Sequence, residues 1–179
     1  MHRALPKLKR PPPDAPAMKI PINERLVAPC GINCAVCACY LALVHGAWEK
    51  DIKIPHCPGC LPRKKMCAYL MKWCALIGKG RIRFCYECTK FPCKRLKALD
   101  GRYRARYRTS PVENLGRIRD RGMRSFLASQ RRKWRCPRCG GMISCHNGLC
   151  FSCDLEVLRK RKKKYSWDDK KIVKCPSGT

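Results

Sequence analysis

The sequence predicts a small, irregular α+β fold stabilised by metal: a cysteine-knuckle domain, a basic helical connector and a β-rich zinc ribbon. Three observations carry this. Seventeen of 179 residues are cysteine, a density that in a short chain means a cross-linked scaffold. Ten of them form C-x2-C pairs, at 34/37, 57/60, 85/88, 136/139 and 150/153, the spacing of thiolate knuckles on a metal. Between residues 94 and 135 there is no cysteine, but there are fifteen basic residues and three acidic ones.

The start, MHRALPKLKRPPPDAPAMKIP, is broken by prolines and charges, so it does not read as a secretory signal. No run approaches the roughly 20 apolar residues of a membrane span. A cytoplasmic, reduced chain is the expectation, with its cysteines on metal rather than in disulfides. The segments then read as a basic proline-rich tail over 1–25, a cysteine-rich metal-binding domain over 26–93, and the connector over 94–135. A zinc ribbon over 136–158 and a basic tail over 159–179 follow.

The connector has a readable helix start. Ser110 can cap, Pro111 suits the first helical position, and Glu113 completes an S-x-x-E box. Val112, Leu115 and Ile118 fall on one face, and Gly122 offers a stop. Upstream, Leu96, Leu99, Tyr103 and Tyr107 form a second stripe, although Gly101 interrupts it.

The ribbon is carried by WRCPRCGGMISCHNGLCFSC. Cys136 and Cys139 make one knuckle, and Cys150 and Cys153 make the second. Four such sulfurs suit tetrahedral zinc at about 2.3 Å. Gly140 and Gly141 follow where backbone amides must turn toward the thiolates. Cys145 or His146 could replace a ligand, but surplus polar residues of the intervening loop are the commoner reading. In the larger block the ligand candidates are Cys30, Cys34, Cys37, Cys57, Cys60, Cys67, Cys74, Cys85, Cys88 and Cys93. They suffice for two further four-thiolate sites. One arrangement sets 34/37 with 57/60, and 85/88 with Cys93 and either Cys67 or Cys74. About three zinc ions per chain would result, and spacing leaves an iron–sulfur cluster within 30–93 open.

The order CGINCAVCACY, CPGC, two spaced cysteines, CYECTKFPC, SPVENL and KWRCPRCGG followed by HNGLCFSC resembles the cysteine-rich family catalogued as domain of unknown function 3795. The resemblance runs from about Pro29 to Asp154. It implies a small cysteine-knuckle domain, often followed by a ribbon, with no established activity and no settled metal. It also implies leaving Cys39 out of the ligand set.

Cys30, Cys34 and Cys37 have the C-x3-C-x2-C spacing of enzymes that split S-adenosylmethionine on an iron–sulfur cluster. The chain offers no βαβ repeats and no glycine-rich cofactor strand, and Val36 stands where an aromatic is usual. No catalytic constellation emerges elsewhere, because paired thiolates predict closed metal sites.

The formal charge is +29; three zinc tetrathiolates would lower it to roughly +23. Such an excess points to a polyanion, with RNA favoured over DNA and no membrane partner. The candidate phosphate contacts are Arg102, Arg104, Arg106, Arg108, Arg117, Arg119, Arg131, Arg132, Lys133, Arg159 and Arg161. Tyr103 and Tyr107, interleaved with arginines, could stack on bases if exposed. The run Arg159 to Lys164 reads as an electrostatic clamp. Two other readings stay open: an iron–sulfur redox or sensor protein, and a structural subunit of a larger protein or ribonucleoprotein complex.

Overall fold

The computed structural model of the chain describes residues 22–63 and 73–167. The expected ligand Cys67, the basic tail up to residue 21 and the end of the C-terminal tail lie outside the described residues. The helices are α1 (Ala38–Val44), α2 (Cys60–Arg63), α3 (Ala75–Gly78), α4 (Lys94–Tyr107), α5 (Pro111–Lys133) and α6 (Leu155–Lys160). Short 3-10 turns occupy Glu24–Leu26, Cys34–Val36 and Cys85–Glu87. No described helix is long and apolar enough to cross a membrane.

The fold is mostly helical, which corrects the expectation of a β-rich ribbon. Among the described residues, β pairing is limited to isolated bridges: Val27 with Asn33, Arg135 with Met142, and Ile143 with Cys150. The reason lies in where the loop between the knuckles goes. The Cys145 amide donates to Val36 O at 2.8 Å, in the first cysteine block. That amide is therefore spent on docking rather than on extending a ladder.

The α5 start follows the sequence. Ser110 Oγ accepts the Glu113 amide at 3.0 Å, and Pro111 takes the first turn. The Glu113 carboxylate instead pairs with Arg104 Nη2 at 2.8 Å. Gly122 ends the first helical segment as the sequence predicts: its backbone is non-helical, at φ +76° and ψ 161°, and a second segment follows the kink and runs to Lys133. The second half has its own apolar reason to form, because Phe126 is almost fully buried and Gln130 with it. In α4, Leu96 and Leu99 are buried. Gly101 is tolerated because its position is open, with nothing within 4 Å of where a Cβ would stand.

Asp100 links the two long helices, a role with no counterpart among the sequence expectations. It accepts from Ser110 Oγ at 2.6 Å, from the Val112 amide at 2.9 Å and from Arg104 Nε at 2.6 Å. Burial opposes its ionisation. The bonds from Ser110, Val112 and Arg104 outweigh burial and hold its carboxyl below the ordinary range. Gly31, in the CGINC stretch, packs on the start of α5. A Cβ there would lie 2.4 Å from Pro111 O, and Asn114 Nδ2 donates to Gly31 O at 2.8 Å. The buried side chains form one cluster from Ile22 to Leu158. First block, connector and ribbon thus share a core.

Candidate metal centre

In the ribbon the chain brings four thiols to one point. All four sulfurs of Cys136, Cys139, Cys150 and Cys153 lie within 4.8 Å of one another. Cys136 Sγ is 4.0 Å from Cys153 Sγ, and Cys139 Sγ is 3.6 Å from Cys150 Sγ. A tetrahedron with bonds of about 2.3 Å has edges of about 3.8 Å, so the set is the size of one thiolate-bound ion. Gly140 adopts φ +73°, and the Gly141 amide donates to Cys139 Sγ at 3.4 Å. Asp154 Oδ2 accepts the Cys150 amide at 2.8 Å, and its Oδ1 pairs with Arg138.

The electrostatics of this set favour a cation. Burial opposes ionisation of Cys136, yet the amides of Cys139 and Arg138 and the thiols of Cys150 and Cys139 hold it below the usual thiol range. Burial, with hydrogen bonding and charge from its neighbours, pushes Cys153 up to about 12. Cys150 is raised too, first by burial and then by Cys136 and Cys139. Crowding lets one thiol ionise at the expense of the others, until a metal ion replaces the protons. Cys136, Cys139, Cys150 and Cys153 could therefore hold a metal ion.

Cys145 and His146 are not surplus loop residues, which corrects that expectation. Both are buried. The Ala38 amide donates to His146 Nδ1 at 3.1 Å, and Trp167 Nε1 donates to Cys145 O at 2.9 Å. His146 does not join the ribbon thiols. Burial lowers its pKa to about 4, so the ring is neutral, as an accepting Nδ1 requires.

The cysteines of the first block fall into two neighbourhoods. Burial pushes Cys85 up to about 12, and the thiols of Cys74, Cys93 and Cys88, followed by Glu87, add to the shift. The Lys90 amide donates to Cys88 Sγ at 3.4 Å. The second neighbourhood contains Cys34, Cys37, Cys39, Cys57 and Cys60, which line a cavity of about 290 Å³. Cys30 lies between the two. Burial pushes it up to about 12 against the opposing Ile32 amide, with Cys60 and Cys85 adding to the rise.

The α4 residues expected on a nucleic-acid surface divide between roles. Arg102, Tyr103, Arg106 and Tyr107 contribute to the same cavity. Tyr103 and Tyr107 are half-buried, edge to face at 5.1 Å, and Tyr107 meets the His146 ring at 4.5 Å. They are therefore not exposed stacking platforms. Their stripe on α4 continues that of Leu96 and Leu99, so they turn inward with it.

Arg104 binds Asp100 and Glu113, and Arg119 binds Asp120. Arg108 lies 4.4 Å over the Trp167 ring, and Lys133 donates to Arg108 O at 3.3 Å. Arg117, Arg131 and Arg132 are exposed on α5. In the run 159–164, Arg159 donates to Lys50 O at 3.1 Å and Arg161 donates to Ser166 O. Lys164 reaches back to Arg159 O at 3.1 Å. Those three side chains clamp the chain's own backbone, while Lys160, Lys162 and Lys163 are exposed.

Residues 26–98 match the family model described as Protein of unknown function (DUF3795). The first cysteine block and the start of α4 are thus similar to that family. The match does not reach α5 or the ribbon thiols, so it is narrower than the resemblance read from the motifs. No curated protein matches the chain, and no solved structure does.

Proposed function

We propose that the protein is a multi-zinc, non-catalytic nucleic-acid-binding protein that contacts the phosphate backbone of structured RNA. Zinc is the metal expected at Cys136, Cys139, Cys150 and Cys153, because a closed set of four thiolates at single-ion spacing is the usual structural zinc arrangement. Its role there is to hold the chain in shape; no step of chemistry runs through it.

The observation that carries the proposal is the solvent face of α4 and α5. All fifteen basic residues between 94 and 135 are exposed. The three carboxylates of that stretch are taken up by two of the arginines, Arg104 and Arg119. The inward turn of Tyr103 and Tyr107 shifts the reading away from base stacking and toward backbone contacts. Structured RNA suits a rigid helical surface that presents guanidinium forks to phosphates.

The test is a variant carrying Arg117→Gln, Arg121→Gln, Arg131→Gln and Arg132→Gln, in binding assays on a structured RNA. Weaker binding is expected, and the slope of log affinity against log salt should become shallower by roughly one for each phosphate that the variant no longer neutralises. Unchanged affinity and slope would overturn the assignment of this surface.

A further inference from the structure

The two knuckles of the first block do not meet as those of the ribbon do. At the ribbon, four sulfurs stand within the reach of one ion. Cys34, Cys37, Cys57 and Cys60 line a cavity of about 290 Å³, and among the described residues no three of its thiols reach that mutual spacing. Backbone bonds fix both knuckles in place. The Cys37 amide donates to Cys34 O at 3.0 Å, and the Cys57 amide donates to Cys39 O at 3.1 Å. Gly59 sits where a Cβ would lie 3.0 Å from Leu26 Cδ2, so that turn is pressed against the core. Both knuckles are therefore held in place around the cavity by the fold.

We propose that this cavity holds a tetranuclear iron–sulfur cluster ligated by Cys34, Cys37, Cys57 and Cys60. A cubane of four irons and four sulfides is several ångströms across. Its thiolates consequently stand farther apart than four thiolates on one ion, which is the difference between the two sites of this chain. Other features of the wall suit such an occupant. The Cys60 amide donates to Cys34 Sγ at 3.4 Å, the kind of bond that stabilises cluster thiolates. Arg102 and Arg106 line the cavity and offset the net negative charge of a four-thiolate cluster. Tyr103, Tyr107 and the ring of His146 complete the wall. Cys39 lines the same cavity and bonds Cys37; its Sγ also lies 3.3 Å from the Tyr165 hydroxyl, and the proposal leaves it out of the ligand set. The inference does not rest on RNA binding, and Arg102 and Arg106 are the two basic residues of α4 that it shares with that reading.

The experiment uses the full chain, purified without oxygen and incubated with ferric iron, sulfide and a thiol reductant, which supplies the electrons for the mixed-valence cluster. Expected are about four iron and four sulfide per chain and a broad absorbance band at about 400 nm. The band should fall more than tenfold in Cys57→Ser and in Cys60→Ser. It should persist in Cys88→Ser, whose thiol belongs to the other cysteine neighbourhood of the first block. Because a serine variant can lose its band by unfolding, a second variant carries Arg102→Gln and Arg106→Gln. It should retain the cluster with a lower reduction potential, since nearby cations favour the added electron. Zinc in place of iron, a band that survives Cys57→Ser with Cys60→Ser, or an unchanged potential in the arginine variant would each overturn the proposal.

Discussion

The Ala38 amide donates to Nδ1 of His146 at 3.1 Å, joining the first turn of α1 to the ribbon loop across 108 positions of sequence. With the bond from Cys145 to Val36 beside it, it makes the ribbon loop a plug in the first cysteine block. A metal at the ribbon thiols would then steady the block that holds the other cysteines.

His146→Ala removes the acceptor and leaves the buried Ala38 amide unpaired. The expected loss is about 1–3 kcal/mol of stability, read by thermal or denaturant unfolding. Metal content should not change, because the imidazole lies apart from the ribbon thiols; loss of one metal equivalent would make it a ligand after all.

Cys136→Ser should abolish metal binding at the ribbon and melt the segment around it. Its own β pairing is two isolated bridges, so apart from its docking on the first block, ligation supplies much of its folding energy. Hydrogen exchange across residues 134–160 would report this. A variant with its metal and its protection intact would contradict it.

Asp100→Asn should lower stability by about 1–3 kcal/mol at neutral pH. The folded carboxyl titrates below its unfolded value, which is about 3.9. Its contribution is therefore full above that value and is lost as pH falls through the lower, folded one. Measured against wild type, the variant's deficit should shrink once the pH falls below about 4. A deficit independent of pH would assign the effect to packing alone.

His45 gives a second acid-sensitive point. It is buried, its Nε2 has no partner, and burial followed by the nearby Lys50 charge lowers its pKa to about 4. The unfolded ring titrates at about 6.5, so between the two values only the unfolded state takes the proton. Stability should thus be full above about pH 6.5 and decline toward pH 4, by on the order of 3 kcal/mol in all. His45→Phe, next to Phe151 at a ring distance of 5.9 Å, should remove that part of the decline. An identical pH profile would contradict this.

The parts of the fold legible in the sequence are those set by local chemistry. Ser110 and Pro111 mark a helix start because capping is a matter of adjacent residues. The 136/139 and 150/153 spacing marks a thiolate set because a knuckle is closed by its own turn. Gly122 marks a stop for the same local reason, but the second segment beyond it, held by the burial of Phe126 and Gln130, depends on distant partners and carries no such sign. Cys145 and His146 carry no local sign of burial, since their partners Val36 and Ala38 lie over a hundred positions away. Tyr103 and Tyr107 suit water and a wall equally well as residue types, and only the arrival of the ribbon loop decides. Asp100 has one signal, its i,i+4 spacing to Arg104, but its bond to Ser110 depends on how α4 and α5 meet.

The most direct test of the central claim is the salt dependence of binding between the full, metal-loaded chain and a structured RNA. Binding by the exposed arginine face predicts saturable association, with log affinity falling linearly as log salt rises and a slope of several units. Weak, non-saturating association, or an affinity indifferent to salt, would contradict it.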